Sequence, residues 1–90
     1  MAPRPRTVPP LALVERCWRL KTAAGTVFTC GIFQDAHGLE VRGCREPRLF
    51  LFSQRATDIE HAREIAEASR LSTIEQFGPV EVLPLEASAP

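Results

Sequence analysis

Hydrophobic and polar side chains alternate with a period of two over much of the first half of the chain, which is typical of strands with one buried face. In the first such stretch, Val14, Trp18 and Leu20 alternate with charged neighbours. The second stretch is apolar on both sides, which indicates a strand in the centre of a sheet. The fourth contains the run Leu-Phe-Leu-Phe. The pattern is that of strands from residue 11 on, with a first strand that includes residues 14–21 and further strands at residues 26–34, 39–45 and 48–54.

The hydrophobic period changes to that of a helix after the fourth strand. Thr57 and Glu60 have the spacing of a capping box, and Asp58 adds negative charge at the positive end of the helix dipole. Gly78 and Pro79 provide the stop signal. Apolar and small residues share one side of this helix: Ile59, Ala62, Ala66, Ser69, Thr73 and Phe77. The predicted fold class is α+β, an antiparallel β-meander of three to four strands with one long C-terminal helix packed on one face.

Proline and charge suggest how the chain is divided. Residues 1–10 hold four of the eight prolines and are expected to form a disordered Pro/Arg lead. Residues 11–85 are expected to form a single α+β domain and residues 86–90 a disordered tail. Residues 80–85 either add a strand or lie free, and Pro84 restricts such a strand to the edge of the sheet.

The net charge is zero but unevenly distributed. Residues 1–55 carry nine Lys and Arg against four acids, and residues 56–90 carry two against seven, giving net charges of +5 and −5. Either the two halves neutralise each other on folding, or a basic sheet face stays open for an anionic partner. No stretch approaches the roughly 20 apolar residues of a membrane span, and no secretory h-region follows the start. We therefore expect a cytoplasmic protein with reduced thiols and no membrane partner.

Strand register decides whether the three cysteines meet. The first turn is expected to place Lys21 opposite Thr26, and the second to place Asp35 opposite Leu39. These registers would set three thiols in a row: Cys17, Cys30 and Cys44. They would also gather apolar side chains beneath the helix: Trp18, Leu20, Val27, Phe33, Leu39 and Val41.

The cysteine face is then expected to stay open, with two apolar side chains among charged ones. A half-apolar open face is a candidate contact surface. Its candidate interaction residues are Arg19, Lys21, Phe28, Ile32 and Arg42.

The residues that carry chemistry show no recognisable constellation. Structural zinc sites use paired Cys-x-x-Cys or His knuckles, and His37 would lie about 20 Å from the cysteines at ~3.3 Å per strand residue. The cysteines are therefore interpreted as small, partly buried hydrophobes, with a redox thiol at Cys17 as the alternative. His37 and His61 have no nucleophile at a recognisable spacing. We expect no enzyme, no metal and no cofactor.

Two functions of different classes remain. The first is a small protein-interaction or regulatory module, with a protein partner or a homodimer, because 90 residues build only a thin core. The alternative is a nucleic-acid-binding domain that uses a basic open sheet face with Phe28 as a stacking platform. Its basic residues would be Arg16, Arg19, Lys21, Arg42, Arg45 and Arg48.

Several short runs resemble a known group of proteins. They are Gly25-Thr26-Val27 with Cys30, Gly38-Leu39-Glu40-Val41-Arg42, Ser53-Gln54 and Ala62-Arg63-Glu64-Ile65-Ala66. Over residues 14–78 the chain resembles short alphaproteobacterial proteins of unknown function, a resemblance that implies no activity and no site residue. The order of strands followed by a helix is also similar to WGR domains, which are associated with nucleic acids. Here Trp18 is followed by Arg19 and Leu20 in place of Gly-Arg.

Overall fold

The computed structural model describes residues 12–46 and 49–85. Within them the elements are β1 (Ala12–Thr22), β2 (Val27–Asp35), β3 (Gly38–Arg45), β4 (Leu49–Ala56), α1 (Ile59–Phe77) and β5 (Val80–Val82). The strands form one antiparallel sheet in the order β4-β3-β2-β1-β5, and α1 packs across one face. The predicted α+β meander with one C-terminal helix is confirmed. The predictions of a disordered lead and tail concern residues 1–10 and 86–90, outside this description.

The segment after the helix forms a short edge strand. Thr22 of β1 pairs with Val80 and Leu20 pairs with Val82. The amide of Leu83 donates to the carbonyl of Arg19 at 2.8 Å, and Pro84 follows. Of the two alternatives for residues 80–85, the structure therefore shows the edge strand, limited to three residues.

The N-cap of the helix lies one residue later than predicted. Asp58, rather than Thr57, is the N-cap, and its carboxylate accepts a hydrogen bond from the amide of His61 at 2.8 Å. The predicted Thr57 cap is wrong because the amide of Thr57 instead donates to Nδ1 of His61 at 3.0 Å. The predicted stop is confirmed: Gly78 has φ 79°, and its amide donates to the carbonyl of Ile74.

Both hairpins have a register that differs from the predicted one by one residue. In the first, the amide of Gly25 donates to the carbonyl of Thr22, and Gly25 takes φ 91°, as in a three-residue loop. Lys21 therefore opposes Val27 and not Thr26. In the second, Asp35 opposes Gly38 and not Leu39, and the Asp35 carboxylate accepts from the amide of His37 at 2.8 Å.

A one-residue slip moves every side chain of a strand to the opposite face. Because the two slips cancel, β1 and β3 face as predicted and β2 alone is reversed. Cys30 consequently pairs with Trp18 and lies beneath the helix, whereas Cys44 pairs with Thr29 on the other side. The predicted row of three thiols is wrong for this reason.

The core lies between the sheet and α1. Its buried members are Trp18, Leu20, Phe28, Cys30, Ile32, Val41, Ala62 and Ala66. Ala62 and Ala66 are small, so α1 approaches the strands closely at these positions. The indole Nε1 of Trp18 donates to the carbonyl of Ala66 at 2.8 Å, fixing the helix on β1.

Candidate functional site

The predicted contact residues do not share one surface. Phe28 and Ile32 are 7% and 0% exposed, and the Phe28 ring lies 4.7 Å from that of Phe77 on α1. Placing them on the open face is therefore wrong, and the reversed register of β2 is the cause. Arg19 and Arg42 remain on the face away from the helix, where Phe33 and Leu13 oppose each other. Lys21 is exposed next to buried Leu20.

Acidic side chains of the same strands and turns bind the arginines of the open face. Arg19 pairs with Glu46 at 2.9 Å, Arg42 with Glu40 at 3.1 Å, and Arg55 with Asp35 at 2.8 Å. Hydrogen bonds from Arg19 hold the pKa of Glu46 below its usual value, and those from Arg55 lower the pKa of Asp35. These cations are therefore largely compensated on their own face.

Ion pairs between the basic front and the acidic back of the chain are few. Of the five pairs in the described part of the chain, one joins the halves, Arg63 to Glu15 at 2.8 Å. In that pair the arginine comes from the acidic half. Direct pairing between the halves is therefore limited to this contact in the described residues, and their mutual neutralisation on folding stays a prediction.

A groove of about 1070 Å³ runs between α1 and the sheet on the side of β3 and β4. Its apolar walls include Phe28, Gly43, Leu51, Phe52, Ile65 and Phe77. The helix contributes His61, Glu64 and Ser72 to the polar part of its lining. Gly43 is required at its floor because a Cβ there would overlap the ring of Phe52.

Edge strand β4 borders this groove and exposes apolar side chains. Leu49, Phe50 and Leu51 are 47%, 49% and 46% exposed. Leu51 lines the groove, whereas Phe50 lies on the open face, with the guanidinium of Arg42 5.3 Å from its ring centroid. No described strand lies beyond β4, so its outward N–H and C=O groups have no strand partner there.

The pattern of residues 49–52 predicts a strand but indicates neither its neighbours in the sheet nor its exposure. The signal available was that residues 49–54 contain no charge or proline, the features that usually protect an edge. Only the strand order shows that this segment is outermost.

In the described residues, no group of three or more His, Cys, Asp or Glu side chains is arranged to hold a metal ion. His37 is exposed in a turn, and His61 accepts from the amide of Thr57 at the start of α1. None of the helices in the described part of the chain is both long and apolar enough to cross a bilayer.

No family model, curated protein or solved structure matches this chain. The resemblance to alphaproteobacterial proteins of unknown function stays a prediction.

Proposed function

We propose that this chain is a small, non-enzymatic protein-interaction module that associates with a second copy of itself through edge strand β4. The observation that carries the proposal is the half-exposed apolar run of residues 49–51 on the outermost strand. Such an edge pairs readily with another strand, because main-chain hydrogen bonds and apolar contacts form together.

The sequence of β4 suits pairing with itself. Its single charged side chain, Arg55, is bound by Asp35 at 2.8 Å and is therefore compensated. An antiparallel two-fold contact centred on Phe50 brings Phe50 opposite its own copy. The same contact sets Leu49 opposite Leu51 on the other face, so apolar side chains meet on both faces. The zero net charge of the chain adds no repulsion between copies.

The size of the interface supports a contact wider than the strand itself. A stable dimer buries about 800 Å² per partner, roughly an eighth of the 6157 Å² accessible here. The eight residues of β4 extend about 27 Å at ~3.4 Å per residue, and a strand pair alone supplies only part of that area. The groove beside Leu51 and Phe52 supplies apolar surface for the rest.

A matched pair of lysine variants tests the proposal. Leu51→Lys places a charge on β4, and Val82→Lys places the same charge on β5, where Val82 is 70% exposed. Light scattering coupled to size exclusion measures the mass over a range of concentrations, at low and high salt, with and without nuclease treatment. We expect wild type and Val82→Lys to be dimers and Leu51→Lys to be a monomer.

Two results would contradict this proposal. A Leu51→Lys variant that stays dimeric would show that β4 is not the interface. A wild-type monomer that carries nucleic acid until high salt removes it would replace the module by the nucleic-acid-binding alternative.

A further inference from the structure

Cys17 occupies a β-bulge opposite Cys30. Arg16 pairs with Gly31 and Trp18 pairs with Cys30, which leaves Cys17 as an extra residue in β1. In a bulge two residues of one strand oppose a single residue of the other, so Cys17 and Trp18 share Cys30. The bulge thus brings together two cysteines that a regular register would separate.

The spacing at this bulge is compatible with a disulfide. Residues that oppose each other in an antiparallel pair have Cα atoms about 4.5–5.5 Å apart, and disulfides span about 4.4–6.8 Å. Cys17 is half-buried and packs against the core cluster to which Cys30 belongs. The sulfur of Cys30 lies 3.8 Å from Oγ of Ser69, and that of Cys17 lies 4.0 Å from the carbonyl oxygen of Glu15.

We propose that Cys17 and Cys30 form a dithiol modification site, which hydroperoxides oxidise to an intramolecular disulfide. Cys17 is the residue oxidised first, because it is half-buried and therefore more accessible than Cys30, which is 3% exposed. Cys44 is also half-buried, but it lies on the other side of the sheet and is not part of the site.

The electrostatic surroundings assign the same roles. The hydrogen bond with Cys30 lowers the pKa of Cys17, with further lowering by Arg63 and opposition from burial and Glu15. The same hydrogen bond, together with burial, raises the pKa of Cys30. Cys17 is therefore the more readily ionised thiol and reacts first. Cys30 is the thiol that reacts in the second step, with the oxidised Cys17.

The oxidation balances in two steps. The Cys17 thiolate attacks one oxygen of the hydroperoxide, the O–O bond breaks, and the alkoxide leaves as an alcohol after taking up a proton. Cys17 is then a sulfenic acid. The sulfur of Cys30 attacks the sulfur of Cys17, the S–O bond breaks, and hydroxide leaves with the Cys30 proton as water. Two thiols and one hydroperoxide thus give one disulfide, one alcohol and one water.

Tryptic mapping tests the site directly because each cysteine falls on a different peptide. Cleavage after Lys and Arg yields residues 17–19, 22–42 and 43–45. The folded protein is treated with hydrogen peroxide, alkylated in denaturant at acid pH to prevent exchange, and digested. We expect peptide 17–19 joined to peptide 22–42, two hydrogen atoms lighter than their sum, with Cys44 alkylated.

Matched variants separate this site from general thiol oxidation. Cys44→Ser is expected to form the same cross-link at the same rate. Cys30→Ser is expected to lose the cross-link and to accumulate Cys17 sulfenic acid, which dimedone traps. If Cys30→Ser does not fold by circular dichroism, Cys17→Ser, at the more exposed position, takes its place and is expected to leave Cys30 reduced.

Other products would overturn the proposal. These are a Cys30 to Cys44 link, links only between chains, equal oxidation of all three cysteines, or no link in the wild type. Because the mapping does not depend on oligomeric state, its failure is distinguishable from failure of the proposed β4 dimer.

Discussion

The two edges of the sheet differ in how well they are protected. On one side, β5 is three residues long and is followed by Pro84. The part of β1 that β5 does not cover has irregular pairing at two points, around Val14 and Cys17. It also carries an ion pair between Glu15 and Arg63. Short length, proline, bulges and charge are the features that prevent strand addition.

The other edge has none of these features over most of its length. β4 has eight residues, and its first six, Leu49 to Gln54, include neither charge nor proline. Its pairing irregularity is a single bulge, at which Leu51 is the extra residue opposite Gly43 and Cys44. The difference teaches that one sheet can be closed to partners at one edge and open at the other. It also identifies β4 as the edge on which association should depend.

The largest effect is expected from Gly43→Ala, which disturbs the support of β4. An added Cβ would overlap the Phe52 ring, with Cδ2 and Cζ at 2.7 and 2.8 Å. The ring must move, so we expect a loss of about 1–3 kcal/mol in the free energy of unfolding, measured with urea. Association should weaken as well, because Phe52 belongs to β4.

Gly31→Ala is the matched control in the neighbouring strand. Its Cβ would lie 3.2 Å from Cε1 of Phe33 and 3.4 Å from the carbonyl oxygen of Glu15. These contacts are tight, but they are not overlaps like those at Gly43. A smaller loss is expected. Equal losses for the two glycines would mean that Phe52 does not limit the space above Gly43.

A smaller effect is expected from Trp18→Phe, which loosens the protected side. The variant loses the 2.8 Å hydrogen bond to Ala66 and part of the indole volume. The carbonyl of Ala66 keeps the hydroxyl of Ser69 as a donor at 2.9 Å, so no buried acceptor is left unpaired. We expect a loss of about 1–2 kcal/mol in unfolding free energy by urea denaturation, with unchanged dimer mass.

Ser69→Ala serves as the control for this change. It removes the other donor to Ala66 and should cost less than Trp18→Phe. A Trp18→Phe variant that dissociates the dimer would mean that the two sides of the sheet are not independent.

The smallest effect is expected from Glu15→Gln, at the protected edge. Hydrogen bonds from Arg63 lower the pKa of Glu15, so the ionised carboxylate is favoured in the folded state. The ion pair therefore contributes fully to the free energy of unfolding above the pKa that Glu15 has in the unfolded chain. This contribution is lost as the pH falls through the lower pKa that Glu15 has in the folded protein. Urea denaturation at several pH values should show a small deficit for Glu15→Gln near neutrality that disappears in acid.

Glu67→Gln is the control, since Glu67 pairs with Arg70 on the surface of α1, away from both edges. It should leave the β1 edge and the dimer mass unchanged. A deficit of Glu15→Gln that persists at low pH would argue that packing, not charge, is what the substitution removes.

The helix cap and the turns show how far local patterns reach. Gly78 ended the helix as predicted because its φ of 79° is a local property of glycine. The predicted N-cap, Thr57, is one residue before the observed one, Asp58. Both residue types favour the N-cap position, and the Thr57 amide is hydrogen-bonded to the ring of His61. When neighbouring residues have equal propensity for the N-cap position, only the contacts of each one decide which of them becomes the cap.

The orientation of the candidate interaction residues was predicted in part. Arg19, Lys21 and Arg42 lie away from the helix, because β1 and β3 face as their alternation predicts. Phe28 and Ile32 do not, since β2 is apolar on both faces and its pattern is compatible with either orientation. The exposure of β4 could not be predicted, because it depends on which strands lie beside it.

The sequence by itself determined the order of the elements, the α+β class and the end of the helix. Periodicity and the backbone preferences of glycine and proline act within a few residues and do not depend on the rest of the fold. Only the tertiary structure decided the face of β2, the separation of Cys44 from Cys17 and Cys30, and the exposure of β4. These follow from register and strand order, and a single residue in a turn reverses a face while leaving the local pattern unchanged.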